Sequence, residues 1–204
     1  MDLISIITPI KNGEKLFRST YHSVIQQSYT RFEWIIVDDG SYLDQIDKIK
    51  CVINDDRVKY IIGNKNLGPG GARNIGLKKI SGKYLCFIDS DDLWDRNFLQ
   101  VCHAFIKRHN SGLVFSGYKR YLYEHDKYLE DFIPRDLITS ESILKGSDIS
   151  CLTALIDTNF LDDTTLFGEI PARNDLVFFY RVLQNTPAIP ISEPLATYRL
   201  KKNQ

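Results

Sequence analysis

The 204-residue sequence predicts an α/β fold with a mainly parallel sheet flanked by helices. Three observations support this prediction: short apolar runs recur along the first half, segments with helical periodicity lie between them, and turn residues separate the two. Strands that alternate with helices are joined by right-handed crossovers, which give a parallel sheet covered on both faces. No internal repeat or linker divides the chain, so we expect one domain over residues 1–204.

The elements of the first half follow from the spacing of their apolar residues. Four runs are predicted as strands, at residues 3–8, 32–37, 58–62 and 83–89. The continuous apolar character of the first, second and fourth runs is typical of strands buried on both faces. Helical spacing predicts four helices, at residues 17–25, 46–52, 72–80 and from about 95 to 106.

The second half is less regular. Residues 113–118 and 149–156 are predicted as strands, and residues 175–183 as a helix. Residues 119–134, which are rich in tyrosine and charge, form either a hairpin or a mobile loop. Residues 188–199 are predicted as one or two strands, because Pro190 and Pro194 interrupt the apolar pattern.

The composition argues against several classes of protein. Lysine and arginine number 26, as do aspartate and glutamate, so the chain lacks the general positive charge of a nucleic-acid-binding protein. There is no apolar run near ~18 residues and no signal peptide. The four cysteines form no zinc or disulfide pattern, as expected of thiols in a reducing compartment. These features predict a cytoplasmic protein without a transmembrane segment.

Polar residues follow every predicted parallel strand. Thr8 ends the first strand, and the later strands lead into the residues Asp38, Asp39, Asn64, Asn66 and Asp89. In an open parallel sheet, ligands bind outside the carboxyl ends of the strands. The sequence therefore predicts a ligand cleft at this edge.

The segment Asp89-Ser90-Asp91-Asp92 is the sharpest local signal for a ligand. Its carboxylates repel one another, and a divalent cation relieves that repulsion. Oxygen ligands without a Cys or His pattern favour Mg²⁺ or Mn²⁺ over zinc. The alternative is an Asp-rich turn that caps the following helix.

Two further segments carry candidate functional residues. The glycine-rich segment 68–74 is neither a P-loop nor a GxGxxG motif, but its backbone could lie close to an anion at a helix N-terminus. Arg73 in this segment either meets a diphosphate or pairs with a nearby aspartate. Asp175 begins an apolar helix and is either a functional carboxylate or an N-cap.

Together and in this order, these segments resemble the inverting nucleotide-sugar glycosyltransferases of glycosyltransferase family 2, which have the GT-A fold. The resemblance extends from Ile4 to Arg199. It rests on the segments 5–12, 23–29, 34–41 with the VDDGS turn, 66–74 and 82–92 with the DxD strand.

The resemblance implies a metal-dependent inverting glycosyltransferase. It would transfer a sugar from a nucleoside-diphosphate donor, specifically a UDP-sugar, to an acceptor hydroxyl in cell-surface polysaccharide or glycoconjugate synthesis. Residues 1–95 would bind the donor. Residues 96–204 would bind a saccharide or lipid-linked saccharide acceptor, and a lipid carrier would bring the enzyme to the cytoplasmic face of the membrane.

The resemblance also implies roles for individual residues. Asp39 would accept from a uracil N–H, Asp89 would face the ribose and Arg73 would lie near the phosphates. The full nucleotide-binding set would be Thr8, Pro9, Asp39, Asn66, Arg73, Asp89 and Ser90. Asp91 would ligate Mn²⁺ or Mg²⁺, and Asp175 would be the base that activates the acceptor hydroxyl.

The chain departs from the family pattern at three positions. Asn174 replaces an acidic residue, Lys201 a histidine and Ile10 an aromatic residue. Two alternatives remain open: a nucleotide-sugar-binding protein without transfer activity, and a phosphatase with a DxD motif. Four tyrosines either line an acceptor groove or form the apolar side of a hairpin, namely Tyr118, Tyr121, Tyr123 and Tyr128.

Overall fold

The computed structural model describes residues 1–63, 66–146, 149–168 and 174–200, with only the backbone of Glu14. Two positions that the sequence singles out, Asn64 and Lys201, lie outside these ranges. Within them the strands are β1 Ile4–Ile10, β2 Phe32–Asp38, β3 Val58–Ile62, β4 Tyr84–Phe87, β5 Leu93–Trp94, β6 Leu113–Leu122, β7 Lys127–Tyr128, β8 Ala154–Asp157 and β9 Ala188–Leu200. The α-helices are α1 Glu14–Ile25, α2 Leu43–Lys50, α3 Gly68–Leu77, α4 Phe98–His109 and α5 Asn174–Leu183.

The strands form a single sheet in the order β3-β2-β1-β4-β8-β6-β9-β5, with β7 paired to β6. The first four strands in that order are parallel. β8 is antiparallel to both β4 and β6, whereas β9 is parallel to β6. The predicted α/β fold with a mainly parallel sheet is therefore confirmed.

The core lies on both faces of this sheet. Ile4 and Ile6 of β1 pack in one apolar cluster, and Ile7 packs in the other. Successive residues of a strand point to opposite faces, so a mainly apolar run supplies both clusters. This burial fixes the register of β1 and β2, and with it the position of the residues that follow each strand.

Several predicted boundaries differ in the structure. Helix α3 begins at Gly68 rather than near Ala72, so the glycine-rich segment forms the first turn of the helix and is not a loop. Pro69 fits there, because the first turn of a helix needs no backbone N–H from it. Helix α4 begins at Phe98, and its N-cap is Asn97 without a side-chain cap. The Asp-rich turn therefore does not cap this helix.

The second half differs more from the prediction. Where the sequence predicts a strand at 149–156, the structure has only the shorter β8, Ala154–Asp157. Residues 188–200 form one strand despite Pro190 and Pro194. Both prolines lie where β9 pairs with β6, and β5 joins the far side of β9 only at Thr197 and Ala196. The missing proline N–H groups are tolerated because, at Pro190 and Pro194, the side of β9 that faces away from β6 has no β5 partner and is an edge of the sheet.

Candidate active site

A cavity of about 580 Å³ opens at the carboxyl ends of β1, β2 and β4. It contains most of the residues that the sequence singled out. Its lining residues include Pro9, Ile10, Asp39, Asn66, Gly68, Arg73, Asp89, Ser90, Asp91, Tyr118, Ser150, Cys151, Asn174, Asp175 and Tyr198. The cleft predicted at this edge of the sheet is therefore present.

The two aspartates at the end of β2, Asp38 and Asp39, have different roles. Asp38 is fully buried and accepts hydrogen bonds from the backbone N–H groups of Gly40 and Ser41 at 3.0 and 2.7 Å, and from the Tyr60 hydroxyl. It builds the turn, in which Gly40 has a φ of 86°. Asp39 lines the cavity and accepts from the N–H of Leu67 at 2.7 Å. Adjacent residues of an extended chain point in opposite directions, which separates the two roles.

Thr8 lies beneath the cavity and not on its wall. Its side chain is fully buried, and its hydroxyl accepts a hydrogen bond from the Trp34 indole N–H at 2.9 Å. The following residue, Pro9, lines the cavity. The structure therefore gives Thr8 a partner within the fold, and the contact with a nucleobase expected of it is not supported by this geometry.

Arg73 and Asp89 form an ion pair in the cavity wall. The side chain of Arg73 is only 6% exposed. Burial opposes its charge, but the Asp89 carboxylate outweighs burial and raises the pKa of Arg73 above its usual value. Among the described residues the guanidinium Nε has no hydrogen-bond partner. A buried donor without a partner costs stability, so Arg73 retains an N–H that an anionic ligand could use.

The three aspartates of the DxD turn face different surroundings. Asp91 lines the main cavity and also a neighbouring cavity of about 510 Å³. Asp92 is buried, and its carboxylate accepts from the backbone N–H of Arg199 at 2.9 Å. Burial, reinforced by the charge of Asp89, raises the pKa of Asp92 well above its usual range. Of the three carboxylates, that of Asp92 is therefore buried against the backbone of β9 and does not line the main cavity.

The oxygen atoms present suit a hard divalent cation whose remaining coordination positions are filled by a bound phosphate and water. Within the described ranges, no three His, Cys, Asp or Glu side chains come together as a metal site. Mg²⁺ is usually held by one or two carboxylates, with the remaining positions taken by phosphate oxygens and water. Asp91, which faces the cavity, could supply such a carboxylate, whereas Asp89 is paired with Arg73.

The opposite wall comes from the second half of the chain. Asp175 is the second residue of α5, so it is not the N-cap of that helix. Its carboxylate accepts from the N–H of Leu176 at 2.9 Å and lines the same cavity as Asp91. Cys151 lies between the two walls, and burial raises the pKa of its thiol to about 12. Cys151 is therefore an uncharged thiol at neutral pH.

Close packing holds this wall against α3. A Cβ added at Gly70 would lie 2.7 Å from the Asn174 amide nitrogen. The Asn74 side chain donates to the Phe167 carbonyl at 3.1 Å and accepts from the Phe167 N–H at 2.8 Å. Both contacts join the helix that carries Arg73 to the segment before and at the start of α5. The spacing between Arg73 and Asp175 thus depends on small side chains in α3.

Sequence reasoning missed part of the second wall. It assigned no role to Ser150, Cys151 and Tyr198, although Cys151 is a buried thiol of the core that also lines the cavity. Ser150 and Cys151 were missed because the sequence predicts a strand at 149–156, whereas β8 begins only at Ala154 and the segment before it is not part of that strand. Each of the two alternatives for the tyrosines holds for some of them. Tyr118 lines the cavity, whereas the rings of Tyr121 and Tyr128 pack with their centroids 4.8 Å apart on the hairpin.

Solved structures share this architecture. Staphylococcus aureus TarS, residues 1–349, in complex with UDP-GlcNAc matches the whole chain with a TM-score of 0.83 at 24% identity, and the match covers 60% of TarS 1–349. The mannosyltransferase PcManGT of Pyrobaculum calidifontis, solved with GDP-Man and Mn²⁺, matches 98% of the chain and 57% of its own with a TM-score of 0.76 at 16% identity. These likenesses establish the fold class, which is GT-A.

Sequence comparison then gives the family. The model of "Glycosyl transferase family 2" matches residues 5–173, and the chain belongs to this family of glycosyltransferases. Over 98% of its length the chain is 33% identical to the "Putative teichuronic acid biosynthesis glycosyltransferase TuaG" of Bacillus subtilis, of which the match covers 80%. It is 31% identical to the Escherichia coli UDP-Glc:α-D-GlcNAc-diphosphoundecaprenol β-1,3-glucosyltransferase WfgD, of which it covers 78%. The phosphatase alternative is therefore wrong.

Proposed function

We propose that the chain is a metal-dependent inverting glycosyltransferase that uses a UDP-sugar. The observation that carries this proposal is the meeting of Asp39, Arg73, Asp89 and Asp91 on one cavity wall with Asp175 on the other. The relatives named for teichuronic acid synthesis and for transfer from UDP-glucose are consistent with it. The alternative of a binding protein without activity would leave Asp175 without a role.

The nucleotide would bind along the first half of the chain, residues 1–95. The Asp39 carboxylate would accept the uracil N–H, and Pro9 and Asn66 would enclose the base. Asp89 and Ser90 would face the ribose. The Nε–H of Arg73, which has no partner among the described residues, would donate to a phosphate oxygen, a charge-assisted bond that is stronger than a neutral one.

Departure of the nucleoside diphosphate places negative charge on its terminal oxygen. Asp91 would hold a Mn²⁺ or Mg²⁺ ion, which when bound would act as a Lewis acid toward that charge. Arg73 would add a fixed positive charge on the same side of the cavity.

The acceptor hydroxyl would approach from the second half, residues 96–204. Asp175 would take its proton as the oxygen attacks the anomeric carbon from the side opposite the diphosphate. The bond from that carbon to the acceptor forms as the bond to the diphosphate breaks, which inverts the anomeric centre. A positioned general base contributes roughly 10²–10⁴-fold in rate.

The acceptor class follows from the relatives and from the wall that would meet it. Tyr118 and Tyr198 present aromatic surface suited to sugar rings. We propose a saccharide or lipid-linked saccharide acceptor, used by an enzyme in the cytoplasm or at the cytoplasmic face of the membrane. No helix in the described residues has both the length and the apolar character that would let it cross a bilayer.

Calorimetry with UDP, in the presence and absence of Mn²⁺, tests the donor site. We expect UDP to bind more tightly with Mn²⁺, because Asp91 would hold the ion and the ion's charge would stabilise the diphosphate. Titration with GDP provides the base-specificity control, and weaker binding is expected because guanine presents a different edge to Asp39. Absence of UDP binding, or binding that Mn²⁺ leaves unchanged, would overturn the metal-dependent UDP site.

A further inference from the structure

Arg199 lies at the end of β9, and its side chain is buried behind the DxD turn. It does not line the main cavity, and neither the sequence nor the family resemblance assigned it a role. Its guanidinium lies between two segments that are distant in sequence, the start of α1 and the turn at Asp91 and Asp92. The question is what a buried cation contributes at that position.

The contacts of Arg199 join these two segments. Toward the turn, its Nε–H donates to the Asp91 carbonyl, and its backbone N–H donates to the Asp92 carboxylate at 2.9 Å. Toward α1, its terminal nitrogens donate to the Ser19 hydroxyl at 2.6 Å, to the Thr20 hydroxyl at 2.8 Å and to the Leu16 carbonyl at 3.2 Å.

A second link runs through Thr20. Its hydroxyl donates to the Ser90 carbonyl at 2.9 Å while it accepts from Arg199. Residues 90, 91 and 92 are thus each held from outside the turn, by Thr20 or by Arg199. The backbone that carries Asp91 is thus tied to α1 and to β9, while Asp91 itself lines the main cavity.

We propose that Arg199 is a positioning residue for Asp91, holding the turn so that the Asp91 carboxylate is ready to bind the divalent cation and, through it, the diphosphate. This inference rests on the proposed metal-dependent function. It adds a residue of β9 to the proposed donor-binding residues, which otherwise belong to the first half of the chain.

Arginine suits this task for a geometric reason. Its planar guanidinium directs Nε and the terminal nitrogens along fixed, diverging directions, so one side chain reaches acceptors on two segments at once. Lysine has a single nitrogen, which can serve the Asp91 carbonyl or the α1 acceptors but not the whole set. Arg199→Lys therefore retains the charge and removes the link.

The experiment measures how many fold Mn²⁺ tightens UDP binding, by calorimetry on the folded full chain. For Arg199→Lys we expect this factor to fall by about tenfold, with the metal-free UDP affinity within about twofold of the wild type. Thr20→Val, which removes the hydroxyl but keeps the side-chain shape, should lower the factor by about threefold. Arg18→Lys, an exposed arginine on α1, is the matched control and should change nothing.

The Asp91→Asn variant separates this inference from the proposed function. It should abolish the effect of Mn²⁺, and adding Arg199→Lys to it should cause no further loss of that effect. If the wild type shows no metal effect, or if Asp91→Asn keeps the wild-type effect, the proposed metal site fails. If Asp91→Asn behaves as expected but Arg199→Lys and Thr20→Val keep the wild-type factor, the role of Arg199 is overturned.

A loss of metal-free UDP affinity equal to the loss with Mn²⁺ would also overturn it, since that pattern indicates a general structural role. If Arg199→Lys does not fold, as judged by thermal unfolding, Thr20→Val decides. That variant removes the hydroxyl that links Arg199 and the Ser90 carbonyl to α1, so an unchanged factor there contradicts the proposal.

Discussion

The two walls of the cavity are held in place by different forces. The wall from the first half is fixed by polar contacts: the Asp39 carboxylate accepts from the backbone N–H of Leu67, and Arg73 forms an ion pair with Asp89. The wall from the second half is held mainly by packing, as in the ring of Phe178 on α5, which stacks on the Phe167 ring at a centroid distance of 4.4 Å. We therefore expect changes in the first wall to affect ligand affinity and stability, and changes in the second to affect turnover.

The largest expected effect is at Asp175. Asp175→Asn should lower turnover by roughly 10²–10⁴-fold, because the amide cannot accept the acceptor's proton. UDP affinity measured by calorimetry should stay within about twofold, since the substitution lies on the second wall. Asp163→Asn, an exposed aspartate of the same half, serves as the control. Retained turnover in Asp175→Asn would remove this residue as the base.

The next effect concerns stability in the first half, at Glu33. Burial opposes ionisation of Glu33, but hydrogen bonds from Lys59, Ser5 and Ser81 outweigh it and lower its pKa from 4.5 to about 2. A lowered pKa stabilises the fold above the ordinary pKa, and this contribution disappears as the pH falls from about 4.5 toward 2. At neutral pH the contribution is about 3 kcal/mol.

Glu33→Gln should therefore lower the free energy of unfolding at pH 7 by up to about 3 kcal/mol and flatten its pH dependence between pH 4.5 and 2. Urea unfolding at a series of pH values measures both quantities. Glu124→Gln, at an exposed site, is the matched control and should behave as the wild type. An unchanged pH profile in Glu33→Gln would contradict the assignment.

A smaller effect is expected at Asp39. Asp39→Asn should weaken UDP binding by roughly tenfold, the equivalent of one charge-assisted hydrogen bond. The asparagine amide can also donate, so the preference for UDP over CDP should narrow. Competition calorimetry with the two nucleotides measures this, with the exposed Asp56→Asn as control. Equal UDP affinity in the variant and the wild type would place the base elsewhere.

The smallest effect tests the contact between the two walls. In Gly70→Ala the new methyl group would meet the Asn174 side chain, which must move and shift the neighbouring Asp175. We expect turnover to fall by about three- to tenfold, because small displacements of a reacting group are costly. UDP affinity should change little. Combining it with Asn174→Ala should recover turnover, and a double variant no better than Gly70→Ala would refute this coupling.

The first half was predictable because its signals are local. Leu3 to Thr8 and Phe32 to Val37 are mainly apolar runs, each with one polar residue inside it, and the register of buried strands follows from such runs. The turn residues after them were therefore assigned to the correct edge of the sheet. Local pattern could not separate Asp38 from Asp39, or Asp91 from Asp92, because each pair has the same composition and opposite surroundings.

The second half was less predictable because its contacts are distant in sequence. β9 pairs in parallel with β6 from Leu113 to Leu122, and this pairing carries Pro190 and Pro194 into one strand. Short-range apolar spacing contains no information about such a partner. The roles assigned to individual site residues stay predictions that the substitutions above would test.

The sequence by itself determined the fold class, the edge of the sheet that binds ligand and the acidic residues gathered there. Only the tertiary structure decided which carboxylate is exposed to the cavity, which is buried and which is paired with Arg73. Only it brought Arg199 to Ser19, 180 positions away in the chain. The reason is physical: periodicity reports how one segment meets the core, whereas charge pairing and burial depend on what the rest of the chain places beside it.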